Sequence, residues 1–253
     1  MRKILGFVLV VALLLPVAAA QAELSKAERK QAKSIFAGTL YLRMDAPCAT
    51  GRHAWGTYKR PLVEVSPEGA TDTNAQNEIN ASWWHADSTY WGIRINDPVT
   101  FDELEVDDDA VEVELVGIGP ADGNETVIKF FGIHTLADLE KAAEHAFSRK
   151  PLQEEHDDWS ADVKQAIADR HLQNGMSKRQ VFYITGAPES FEKKTEGGKE
   201  VEIWNLRQDR GMQLGFWTAK AGETTGLPAT IRFEDGVLVE AAQSGSSSDF
   251  KLD

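Results

Sequence analysis

Cysteine is nearly missing from this chain: Cys48 stands alone among 253 residues, so no intrachain disulfide can form. No cysteine lies near the end of the apolar N-terminal run, which leaves a bacterial-type lipid anchor nothing to attach to. Past residue 20 there is no long hydrophobic run, and a bilayer helix needs about 20 apolar residues. Positive charge is scarce too. With 27 Lys and Arg against 40 Asp and Glu, the net charge is −13, which repels nucleic acid and anionic lipid headgroups. The glycine-rich phosphate loop, nucleophile elbow, dinucleotide fingerprint and HExxH helix are all lacking, and with them the sharp arguments for an enzyme.

What is present begins with an export signal. Arg2 and Lys3 precede an unbroken apolar run from Ile4 to Ala20, and Ala20 and Ala22 put small residues where signal peptidase reads. Residues 1–22 are therefore expected to be cleaved, leaving Glu23 as the N-terminus and a chain of net charge −15, free in the periplasm or secreted.

The alanine-rich, charged stretch from Leu24 to Phe36 predicts a short helix, after which the hydrophobic period changes to two. Leu40, Leu42 and Met44, then Trp91, Ile93 and Ile95, then Val111, Val113 and Leu115 alternate with polar neighbours. With further strand-like runs at residues 62–65, 79–84 and 126–131 and turn signals between them, residues 37–133 read as an antiparallel sandwich or small barrel. Thr135 opens a helix carrying Leu136, Leu139, Ala143 and Phe147. Residues 152–159 read as a polar connector. The expected organisation is thus a signal peptide (1–22), a β-rich domain with a terminal helix (23–151), a C-terminal module (152–241) and a flexible tail (242–253), an α+β protein overall.

In the module, Ser160 caps a helix that Gly175 is placed to close, and Ser177 with Gln180 forms a capping box for a second helix that ends at Gly186 and Pro188. Strands follow at residues 200–207, 212–218 and 229–233, and Asp235-Gly236 is a tight turn into residues 237–240. The series from Asn174 to Val181, then Gly186-Ala187-Pro188, Ile203-Trp204 and Ile231 to Val237 resembles the BamE (SmpA/OmlA) family of small outer-membrane proteins, over roughly residues 160–241. The resemblance implies a two-helix, three-stranded antiparallel module that binds proteins, as an accessory of β-barrel assembly or, in similar folds, as an enzyme inhibitor, without catalysis; no cofactor is expected.

Strand parity places Val201 and Ile203 with Met212, Leu214, Phe216, Ile231 and Phe233 on the face under the helices. The opposite face then holds Trp204, Leu206, Trp217 and Arg232, the expected protein-binding surface, with Trp204 across from Gly215. In the β-rich domain, Arg52, His53 and Trp55 sit with Tyr58, Lys59 and Arg60 in a loop suited to an anionic ligand, or to pairing with the acid cluster from Asp102 to Glu114. That cluster lacks the spacing and glycine of an EF-hand loop and reads as a solvated hairpin tip. Cys48 with His53 is a thiol–imidazole candidate without a third group, and His85 with Asp87 and His156 with Asp157 and Asp158 are metal pairs without closing partners.

Two functions follow as expectations. The first is a soluble cell-envelope accessory protein that binds another envelope protein or an outer-membrane component. The second is an envelope hydrolase or ligand-binding protein with its site near Trp55, Trp83, Trp84 and His85. Convergence of Cys48, His53, His85 and Asp87 in one pocket would favour the second.

Overall fold

The computed structural model describes residues 24–53, 56–61, 63–72, 89–107, 110–188, 190–206 and 228–242. These form a mixed α+β protein with mostly antiparallel sheets. Among the described residues, no helix is long and apolar enough to cross a membrane.

Helix α1 (Lys26–Ile35) starts where the alanine-rich stretch predicts. The Ser25 hydroxyl accepts the Glu28 amide while the Glu28 carboxylate accepts the Ser25 amide, which satisfies two of the orphan donors of a helix start. Ten strands and a second helix follow: β1 (Leu40–Leu42), β2 (Ala46–His53), β3 (Gly56–Pro61), β4 (Val63–Ser66), β5 (Gly69–Asp72), β6 (Thr89–Ile93), β7 (Pro98–Asp107), β8 (Ala110–Gly117), β9 (Glu125–Phe131), α2 (Leu136–Ala146) and β10 (Phe147–Ser148). Seven of the strands make one sheet in the order β10-β1-β7-β8-β9-β4-β5, and three make another in the order β3-β2-β6. The Thr126 hydroxyl donates to the Ala46 carbonyl at 2.6 Å and ties β9 to β2. Against the all-antiparallel expectation, β4 runs parallel to β9. The expected strand at residues 79–84 lies outside the described residues.

The period-two pattern has its physical counterpart in β8, where Val111, Val113 and Leu115 are buried and the residues between them are half-buried. Helix α2 buries Leu139, Ala142, Ala143 and Ala146, small side chains that let it lie close against the sheet. Phe36 fills the space between the helices and the strands, its ring 5.7 Å from Phe130 and 5.8 Å from Phe147. This core draws on residues 24–147.

A second core draws on residues 152–241 and one residue from far upstream, Ile95. Helix α3 (Ala161–Ala168) is capped by Ser160 as the sequence predicts, but it stops well before Gly175. The left-handed residue after it is Arg170, at φ 55°, and Gly175 instead shapes a later turn. Helix α4 (Lys178–Thr185) carries the Ser177–Gln180 capping box and ends at Gly186. Four strands complete the unit as a meander in the order β11 (Ser190–Glu196), β12 (Lys199–Asn205), β13 (Thr230–Glu234) and β14 (Val237–Ala242).

Two sequence expectations are overturned here. Strand β11 was not foreseen, and with β11 on one side of β12 and β13 on the other, Trp204 stands opposite Phe191 and Ile231, not Gly215. The parity assignment of β12 is also reversed. Trp204 shares a face with Ile231 and Phe233, its ring 4.8 Å from that of Phe233, while Val201 and Ile203 share the outer face with Glu234 and Arg232.

Candidate functional site

The reversal removes two residues from the expected docking surface. Trp204 and Leu206, each 7% exposed, belong to the core beneath the helices. Glu202 beside them is the reason a charged residue can occupy that face: it accepts from Lys178 at 2.5 Å and from the Trp204 indole at 2.7 Å. Burial works against its charge, but these bonds outweigh it and hold its carboxyl below the usual carboxylate range. On the outer face, Arg232 bridges Glu196 at 2.7 Å and Glu234 at 3.1 Å, and Lys199 reaches Glu234 at 2.7 Å. Val201 opposes Glu234 on this ion-paired face and is fully buried. Trp217 lies outside the described residues.

The thiol–imidazole candidate falls on β2, with His53 five residues beyond Cys48 along the strand. Cys48 pairs with Pro61 and His53 with Gly56, so they occupy opposite ends of β2, separated by roughly 16 Å at the rise of an extended strand. Arg52 and His53 close the β2–β3 hairpin, and Trp55, Trp83, Trp84, His85 and Asp87 lie outside the described residues. His156 is occupied within the fold: its ring stacks on Trp159 at 3.9 Å and its Nε2 lies 3.1 Å from the Tyr183 hydroxyl. Among the described residues, no three His, Cys, Asp or Glu side chains gather as a metal would require.

What the structure does bring together is a polar junction between the two cores. After β6 the chain turns through Arg94, Ile95, Asn96 and Asp97, with Asn96 held left-handed at φ 65°, and inserts the fully buried Ile95 into the second core. Arg170 seals this plug, donating to the Ile95 carbonyl at 2.7 Å, to Asp97 at 2.6 Å and to the Ile184 carbonyl at 3.1 Å. Arg94 also donates to the Ile184 carbonyl, at 2.8 Å. Asp45 accepts the Ile95 amide at 2.9 Å. Its carboxylate faces Gly186 so closely that a Cβ at that position would collide with it. Asn96 donates to Gln153 and accepts the Leu152 amide.

A second clamp lies beside it, where Arg43 grips Glu155 with two bonds of 2.8 and 2.6 Å and Ser148 adds a third. Burial disfavours the charge on Glu155, yet these bonds prevail and its carboxyl titrates below the usual range. The stretch read as a polar connector is therefore packed between the units, with Leu152 and Gln153 buried. Sequence reasoning missed the junction because its members are scattered from residue 43 to residue 186. The faint signal was the Asn-Asp pair after Ile95, which itself reads as the last residue of an alternating strand, whereas β6 ends at Ile93 and Ile95 turns into the second core.

The other notable surface is the β11–β12 hairpin. All seven residues of β11 are exposed, and Phe191 keeps 58% of its surface in solvent. No protein-family model, curated protein or solved structure matches this chain. The described residues form two units joined through a part-buried polar junction, with the exposed strand β11 at one edge of the second sheet.

Proposed function

We propose that this is a cell-envelope accessory protein that acts by binding another protein, exported by its N-terminal signal and working in outer-membrane assembly or maintenance. The order of the Ser177 capping box, the Gly186-Ala187-Pro188 stop and the Ile231 to Val237 strand-turn supports the BamE-like reading of the second unit. The observation that carries the binding role is the edge strand β11, which is exposed along its length and leaves the Phe191 ring 58% exposed. A single exposed apolar side chain is ordinary on a protein surface, but this ring stands on an edge strand, and aromatic side chains are the anchors that dominate protein interfaces.

The test is an affinity capture from envelope extract with the exported chain as immobilised bait. One or a few envelope proteins should be retained and released by an excess of the free chain. Retention of nothing above an unrelated acidic bait would end this reading.

A further inference from the structure

The two edges of the four-stranded sheet differ in a way that backbone geometry explains. In a hairpin with a two-residue turn, the pair flanking the turn exchanges both backbone hydrogen bonds, the next pair exchanges none, and the pattern alternates. The Asp235-Gly236 hairpin obeys this. Glu234 and Val237 flank the turn, Phe233 and Leu238 are the next pair, and the amide and carbonyl of Leu238 therefore point away from the sheet. They are met there by the Met176 carbonyl at 2.7 Å and the Gly175 amide at 2.9 Å. The β14 edge is thus sealed beside its turn.

The same rule applied to β11 gives the opposite result. Gly197 and Gly198 make a two-residue turn with φ 58° and 85°, and pairing runs unbroken from Glu196–Lys199 to Ser190–Asn205. The outward-pointing residues are then Thr195, Lys193 and Phe191, whose three N–H and three C=O groups point away from β12. None of the described residues answers them with a backbone hydrogen bond.

We propose that β11 is a docking edge that takes an extended segment of another protein as an added antiparallel strand, with an apolar side chain opposite Phe191 and a carboxylate opposite Lys193. This rests on the reading of the chain as a binding protein and names how it binds. Phe191, Lys193 and Thr195 share the face of Trp204 and Glu202, so an added strand would set side chains two residues apart against Phe191 and Lys193. The Lys193 ammonium lies 5.5 Å from the centre of the Phe191 ring and 3.4 Å from Glu202, whose closer partner is Lys178 at 2.5 Å. Lys193 is thus the looser of the two cations on Glu202 and the more exposed, 57% against 30% for Lys178, so an incoming acid would compete for it with Glu202. On the other face Lys194 is already held by Glu196 at 2.7 Å.

A second copy of this chain is the poorer occupant. A closed two-fold pairing of β11 with itself sets the residue on the axis against its own copy. The three central positions are Glu192, Lys193 and Lys194, so each central register sets a like-charged pair on the axis; the register on Lys193 adds a Glu192–Lys194 pair on either side, and there the repulsion between two exported chains of −15 each opposes pairing. An axis at Phe191 or Thr195 leaves an overlap of only three residues.

The experiment uses the whole exported chain and an eight-residue peptide with valine and glutamate two positions apart among threonines. The peptide should bind, and the same peptide N-methylated at its β11-facing amides should not. Thr195→Pro removes an outward N–H without touching the β12 ladder, so it should weaken peptide binding about tenfold with the melting midpoint unchanged. Equal binding of the methylated peptide, or no effect of Thr195→Pro, overturns the proposal. Slow hydrogen exchange at the amides of Phe191, Lys193 and Thr195 in the free chain also overturns it, in favour of a second copy if the chain sediments as a dimer and of its own residues if it is a monomer. Capture from envelope extract separates the two readings. If Thr195→Pro retains the wild-type partner equally, the edge fails while the binding role stands; if the wild type retains nothing but the peptide binds as described, the edge stands and the envelope role fails.

Discussion

The first unit closes its core with its own material, the Phe36, Phe130 and Phe147 rings under α1 and α2, whereas the second borrows. Its two helices have eight residues each, and its sheet has a charged side chain, Glu202, on the covered face. It makes up the difference with Ile95 from the first unit, held in place by Arg170. A unit with a small core gains little from area burial alone, because the surface-to-volume ratio works against it. Borrowing couples the two: the second unit is complete only when docked on the first.

The largest expected effect tests that borrowing. Ile95→Ala empties a fully buried site and should cost about 2–4 kcal/mol, lost transfer energy plus the cavity left behind. The loss should fall on the second unit, so that thermal unfolding separates into two transitions with only the earlier one moved. A single transition shifted as a whole would mean that the two cores unfold together and that the comparison drawn above is wrong.

Ile95 also marks the limit of what was legible. The helix starts at Thr135, Ser160 and Ser177 can be read from the sequence because a cap is local chemistry, completed within four residues. The half-buried strands could be read because one face meets the core and one meets water. Strand β11 could not, since a strand exposed on both faces has no alternation to detect. The parity of β12 misled for a related reason. Val201 and Ile203 look like the buried set, but ion-paired Arg232 and Glu234 flank Val201 on the outer face, while the Lys178 bond lets Glu202 turn inwards. Trp204 thereby changes from an expected anchor to a core residue, and pairings between strands distant in sequence decide it.

A middle-sized effect sharpens the comparison with matched chemistry. Thr135 and Ser177 cap their helices in the same way, each accepting the amide three residues on. Thr135→Ala and Ser177→Ala should each cost about 1 kcal/mol. If the second unit has less stability in reserve, Ser177→Ala should lower the first melting transition visibly, and Thr135→Ala should leave that transition in place. Equal shifts of one common transition would show that no difference in reserve exists.

The smallest expected effect has the opposite sign and concerns the junction itself. Burial raises the Asp45 carboxyl above the usual carboxylate range; the Ile95 amide, Arg94 and Arg170 oppose this without cancelling it, and Asp97 adds to it. Arg94 is strained in the complementary sense, pulled down to about 10 by burial and by Arg170. A group whose pKa is raised in the folded chain binds its proton more tightly there than when unfolded. Its contribution to stability is therefore fully present below the usual carboxylate range and is lost as pH rises through the raised value. Above the raised value the ionised Asp45 is thus a cost that the junction carries. Asp45→Asn keeps an oxygen for the Ile95 amide and fits against Gly186 without added volume, while removing the charge. The variant should melt slightly above the wild type at pH 7. That advantage should shrink as the pH falls and Asp45 takes up its proton, while Glu155 and Glu202, held low in both proteins, cancel from the difference. A variant that melts below the wild type at pH 7 would show that the attraction of Asp45 for Arg94 and Arg170 outweighs its burial, and that the junction is a net source of stability in its charged form.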